Sequence, residues 1–109
     1  MGKKGAKLND AAVARAEALV ETLSGLGEVT SRKMFGGLGL FSDGSMFAIV
    51  DSAGSFFLKV GDENRARFES GGCERHGRMP YFSVPSEVES DAAQLREWAA
   101  TSVAVARRV

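Results

Sequence analysis

A chain of 109 residues, 44% hydrophobic and 26% charged, has the size and composition of one compact globular domain, which excludes both a disordered segment and a two-domain protein. Fourteen Lys plus Arg balance fourteen Asp plus Glu to a formal net charge of zero, whereas a dedicated nucleic-acid domain carries a basic excess. Cys73 is the sole cysteine and His76 the sole histidine, so there is no intramolecular disulfide and no closed Cys/His zinc cage.

Residues 1–8, with three lysines and two glycines, read as a mobile basic tail ahead of a single domain over 9–109. Nothing near the start matches the apolar stretch of about 7 to 15 residues of a secretory signal, and no run approaches the roughly 18 of a membrane span. The expectation is a cytoplasmic protein without membrane contact. Val13, Ala16, Val20 and Leu23 then recur at helical spacing, with Asn9 or Asp10 to cap the start and Gly25 or Gly27 to end the helix. From Glu28 to Val60, β-branched and aromatic residues broken at Asp43-Gly44 and around Ala53-Gly54 predict an antiparallel meander. Asp62 is placed to cap a short helix that runs to about Ser70 and stops at Gly71-Gly72. Strand signals return at Cys73–Arg75 and Met79–Val84, and Ser90 is placed to cap a final helix with Leu95, Trp98, Ala99, Ser102 and Ala106 on one face. The predicted order α-β-β-β-α-β-β-α describes an α+β two-layer sandwich with an antiparallel sheet.

Two-residue turns at Asp43-Gly44 and Ala53-Gly54 would set Phe41 opposite Met46, Leu40 opposite Phe47, Val50 opposite Phe57 and Ala48 opposite Lys59. One sheet face then carries Leu38, Leu40, Phe47, Ile49, Phe56, Leu58 and Val60, a core for the helices to cover. The second carries Gly37, Gly39, Phe41, Met46, Ala48, Val50, Phe57 and Lys59, and is apolar as well. Monomers seldom leave such a face bare, so a terminal helix, a second copy or another partner is expected to cover it. Phe41, Met46, Val50, Phe57 and Lys59 are the candidate interaction face, and a homodimer built there is one expectation.

Chemistry is sparse. Cys73 and His76 form the only nucleophile–base pair in the sequence, at a spacing that puts them on opposite sides of a strand. Gly36-Gly37-Leu38-Gly39 is followed by strand residues and by no Lys-Ser/Thr, so it is not a phosphate loop. The carboxylates at Asp62-Glu63 and Glu87 to Asp91 fall where helices begin and read as capping groups. No catalytic, metal or cofactor residue is assigned. Arg32, Lys33, Arg75 and Arg78 are candidate basic contacts to an acidic partner or a phosphate backbone.

Several segments together carry a resemblance: Arg32-Lys33-Met34-Phe35-Gly36-Gly37-Leu38-Gly39-Leu40-Phe41, then Asp43-Gly44-Ser45-Met46-Phe47-Ala48, Leu58-Lys59-Val60, Asp62 to Phe68, Met79-Pro80-Tyr81 to Pro85, and Leu95 to Ala99. In order and spacing over about residues 10–107 they resemble the N-terminal domain of the TfoX/Sxy family. The resemblance implies the two-layer fold reached above and a cytoplasmic part in regulating natural competence. It also implies that full-length members carry a second, helical C-terminal domain that a chain ending at Val109 lacks. Lys33, Met34, Phe35, Gly36 and Gly37 enter as signature positions without catalytic roles. The leading expectation is a non-enzymatic regulatory or adaptor domain acting through protein contacts in transcriptional regulation. An auxiliary nucleic-acid binder using the basic clusters, and a small-molecule sensor on the glycine-floored face between Phe41 and Phe57, are the alternatives.

Overall fold

The computed structural model describes residues 10–34 and 36–108; the proposed basic tail, the Asn9 cap and the signature residue Phe35 lie outside the described residues. Helix α1 (Asp10–Thr22) leads into strands β1 (Val29–Met34), β2 (Gly37–Ser42), β3 (Ser45–Asp51) and β4 (Phe56–Lys59). Helix α2 (Arg65–Ser70), strand β5 (Tyr81–Ser83), the single-turn helix α3 (Ser86–Glu89) and helix α4 (Ala92–Arg107) complete the chain. The five strands follow one another across one antiparallel sheet in the order β1-β2-β3-β4-β5. The α+β class with an antiparallel sheet is the expected one.

The element count differs in three places, one of them the single-turn helix α3, which the expected order lacks. Val29–Met34, polar and exposed along most of its length, forms an edge strand in addition to the three expected before α2. Cys73–Arg75 is no strand: Arg75 makes an isolated bridge to Phe82, and Ser83 N donates to Glu74 O at 2.8 Å. The final helix is capped by Asp91, whose carboxylate accepts from Ala93 N and Gln94 N, and not by Ser90, which closes α3. At the end of α2, Cys73 N donates to Phe68 O and Gly72 N to Glu69 O, with Gly72 at φ 70°. That pairing satisfies the orphan carbonyls of the last turn and requires a left-handed residue, which explains the Gly71-Gly72 stop.

Register decides which residues face the helices. Asp43 at φ 50° and Gly44 at φ 89° make the expected hairpin turn, and Phe41 pairs with Met46. One residue later the ladder slips, so that Leu40 pairs with Ala48 and Phe47 is the extra residue of a bulge. The second turn is also longer than expected. Asp51 Oδ1 accepts from Ala53 N at 3.0 Å and from Ser55 N at 2.8 Å, building a loop that pairs Val50 with Phe56 and Ile49 with Phe57. Each shift by one residue flips a strand's faces, and the two together cancel for β4 but not for the middle of β3. Val50 is therefore corrected from the interaction face to the core, where it is fully buried, with Ala48; Ile49 moves the other way.

Leu38, Leu40, Ala48, Val50, Phe56 and Leu58 line the covered face. Ala12, Ala16, Leu19 and Leu23 from α1 and Leu95, Ala99, Val103 and Ala106 from α4 complete the core against them. Each large side chain buried there contributes about 1.5 to 3 kcal/mol. Trp98 anchors α4 edge-on to Phe68, with centroids 4.9 Å apart. Behind β4, the buried Asn64 side chain accepts from Gly61 N at 2.8 Å and donates to Lys59 O at 3.1 Å and Thr101 Oγ1 at 3.2 Å. It thereby satisfies the backbone between strand and helix.

Candidate functional site: the outer face of the sheet

The residues that alternate with the core point away from the helices: Arg32 and Met34 on β1, Gly39 and Phe41 on β2, Met46 and Ile49 on β3, Phe57 and Lys59 on β4 and Tyr81 on β5. Gly39 is the depression at the centre. A Cβ there would stand 2.6 Å from Met34 Sδ, 2.7 Å from Met46 Sδ and 3.1 Å from Phe41 Cε1, so three side chains converge over the missing one. The Arg32 guanidinium lies 5.0 Å from the centroid of the Phe41 ring, a cation–π contact at the β1 edge. On the far side, the His76 ring rests on Phe57 with centroids 4.4 Å apart. Lys59 Nζ stands 5.9 Å from the Tyr81 centroid. Burial pushes the Tyr81 phenol up to about 12, and its hydroxyl donates to Met46 O across a long 3.4 Å.

Neither terminal helix covers this face. The segment between α2 and β5 crosses part of it, held by Arg75, whose Nε donates to Met79 O at 3.1 Å and whose Nη2 donates to Arg78 O at 2.9 Å. Between that segment and the β1–β2 turn lies a cavity of about 420 Å³ with Gly37 and Ile49 in its floor. Asp51, Ser52 and His76 give it a polar side, and Met34 and Met79 line it as well. These two are the exposed large hydrophobic residues of the described chain, at 42% and 40%. The glycines of the β1–β2 turn serve this shape: Gly36 takes φ 67°, and a side chain on Gly37 would collide with Val50 O.

Phe41, Met46, Phe57 and Lys59 share this face as expected, without Val50. Sequence reasoning missed Ile49 and Met79; the strand expected over Met79–Val84 begins only at Tyr81, and Met79 reaches this face from the irregular segment before it. The candidate basic contacts are not brought together. Arg32 lies over Phe41, exposed Lys33 alternates to the opposite side of β1, and Arg75 is spent on its own segment, with exposed Arg78 beside it. Cys73 and His76 diverge too, the thiol packing at the edge of the core and the imidazole on Phe57. Burial first, and the Glu87 charge second, push the Cys73 thiol up, which opposes a reactive thiolate. Among the described residues no group of three or more His, Cys, Asp and Glu side chains is placed to hold a metal, and no helix is long and apolar enough to cross a membrane.

An apolar, shallow, methionine-rimmed face with scattered charges suits binding by contact more than bond chemistry. Comparison with known proteins places it in a family. Over 72 residues the chain is 38% identical to the DNA transformation protein TfoX1 of Aliivibrio fischeri (strain ATCC 700601 / ES114), a match covering 66% of this chain and 34% of that protein. The chain thus spans about a third of the relative's length in the matched region. Residues 21–106, from the end of α1 to the last turn of α4 and including the whole sheet, match the TfoX N-terminal domain, and the chain belongs to that family.

Proposed function

We propose that this chain is a non-enzymatic regulatory or adaptor domain of the cytoplasm, acting through protein contacts on the outer sheet face in transcriptional control linked to natural competence. One observation carries the reading: Met34 and Met79, from two separate segments, stand exposed around a cavity on a sheet face that no helix among the described residues covers. Flexible thioethers adapt to a partner's shape, and exposed apolar groups gathered in one place mark contact surfaces. The family membership supplies the process, since the relative is named for DNA transformation. A homodimer through the same face is the form of this reading that sedimentation equilibrium detects.

The test is complementation. In a strain lacking the chain, the wild-type gene should restore the altered transcripts, whereas Met34→Asp combined with Met79→Asp should not, although the variant accumulates with a wild-type circular dichroism spectrum. Full restoration by that variant would overturn the assignment. Duplex DNA binding that falls steeply with salt and is abolished by Arg32→Ala with Arg78→Ala would replace it with the nucleic-acid reading.

A further inference from the structure

The two edges of the sheet differ. Along β5 the neighbouring segment satisfies the outer edge, since Ser83 N donates to Glu74 O at 2.8 Å and His76 N to Tyr81 O at 2.7 Å. Along β1 no segment among the described residues does so. Asp43 N donates to Glu28 O at 3.0 Å, so residue 28 is bonded toward the β2 side. Antiparallel alternation then turns 30, 32 and 34 toward β2 as well, and leaves the N–H and C=O groups of Val29, Ser31 and Lys33 on the open side. Residues 30–34 of the strand are exposed throughout.

Charge on this edge is also uncompensated. Arg32 on the outer face and Lys33 on the opposite face form no ion pair among the described residues, and the Arg32 guanidinium is steadied over Phe41 at 5.0 Å. Within the strand the cations stand toward the β1–β2 turn and Glu28 lies just beyond its other end, while Asp51, across the turn beside Gly37, is bonded to its own loop through Ala53 N and Ser55 N. At the turn Met34 opens into the cavity. We propose that β1 receives an acidic, extended segment of a partner protein as a sixth strand, its carboxylates beside Arg32 and Lys33 and an apolar side chain reaching past Met34. The ladder supplies affinity irrespective of sequence, and the two cations select acidic over basic segments. This rests on the reading that the domain works through protein contacts, and it names the chemistry of the contact.

The probe is a short capped Val-rich peptide with an adjacent Glu-Glu pair at its centre, which puts one carboxylate on each face of the added strand, and the same peptide with Lys-Lys in place of Glu-Glu is the control. Amide exchange of the isotope-labelled chain is followed by NMR. The Glu peptide should slow exchange at Ser31 and Lys33, and the Lys peptide should bind about three- to tenfold more weakly. Arg32→Glu with Lys33→Glu, two exposed changes, should invert the preference. Ser31→Pro, which removes an outward N–H that β2 does not use, should abolish binding of both peptides with the fold retained. Absence of protection by either peptide, or equal protection by both, would overturn the proposal. Protection that rises with protein concentration alone would make a second copy the occupant and overturn it equally. None of these results alters whether Met34 and Met79 are needed in cells, so the two readings fail separately.

Discussion

The two faces of the sheet are built from the same strands and are both apolar, yet they are packed by different rules. On the covered face Leu38, Leu40, Ala48, Val50, Phe56 and Leu58 interlock with branched and small side chains from α1 and α4 and are excluded from water. On the outer face the packing is local: Met34, Met46 and Phe41 lean over Gly39, and His76 lies on Phe57. Rigid side chains against helices give a unique core, whereas thioethers over glycines give a surface that can repack. Apolar content therefore does not distinguish the core face from the outer face in this fold; what lies on top of each face does.

The sharpest way to break this comparison is to put the same charge on both faces. Val50→Asp buries an unpaired carboxylate in the core and should cost about 5 kcal/mol or more, enough to abolish folding. Phe41→Asp leaves the carboxylate beside Arg32 in partial contact with water and should cost about 1 kcal/mol. Urea unfolding followed by circular dichroism measures both; a folded Val50→Asp would mean that the bulge at Phe47 is misplaced.

The outer face itself divides between backbone and side-chain neighbours. Gly37→Ala drives a methyl group into Val50 O and Asp51 Cα, which belong to the ladder, and should cost about 2 to 3 kcal/mol. Gly39→Ala meets only the ends of two methionines and a phenylalanine, which can swing aside, and should cost less than about 1 kcal/mol. Equal costs in denaturant titrations would show that the methionine cluster is as rigid as the core.

The smallest expected effect tests how dry the far side of the outer face is. Tyr81 is the only tyrosine, so phenolate absorbance reports on it alone. Its folded pKa, raised by burial from 10.0 to about 12, means that the unfolded chain releases this proton first as pH rises. The corresponding stability is fully present below pH 10 and is lost between about 10 and 12. Tyr81→Phe should be nearly neutral at pH 7, given its long 3.4 Å hydrogen bond, and should lose less stability than wild type in the alkaline window. A phenolate midpoint near 10 would contradict the packing beside Lys59.

Much of the fold was legible because its signals are local: the helical spacing of Ala16 and Leu23, the Asp43-Gly44 turn and the glycine pair after α2 each act over a few residues. Strand β1 was hidden by its polar sequence, which has no buried alternation to reveal it. Register was harder still. With both faces apolar, period-two alternation fits either phase of β3, so nothing in the sequence marks the bulge at Phe47 or the Asp51-centred loop. Phe41, Met46, Phe57 and Lys59 were nevertheless grouped correctly, because two one-residue shifts cancel at β4, while Val50 lay between them and was not. Met79 joins the site through tertiary placement of an irregular segment, which spacing cannot show.

The most direct test of the outer face as the contact surface is photo-crosslinking in living cells from a reactive residue at position 34. Position 100, exposed on α4 on the other side of the sheet, serves as control. The expected result is a discrete protein adduct from position 34, lost when Met79→Asp is added, with none from position 100. Adducts from position 100 alone, or nuclease-sensitive adducts from position 34, would contradict the assignment of that face to protein contacts.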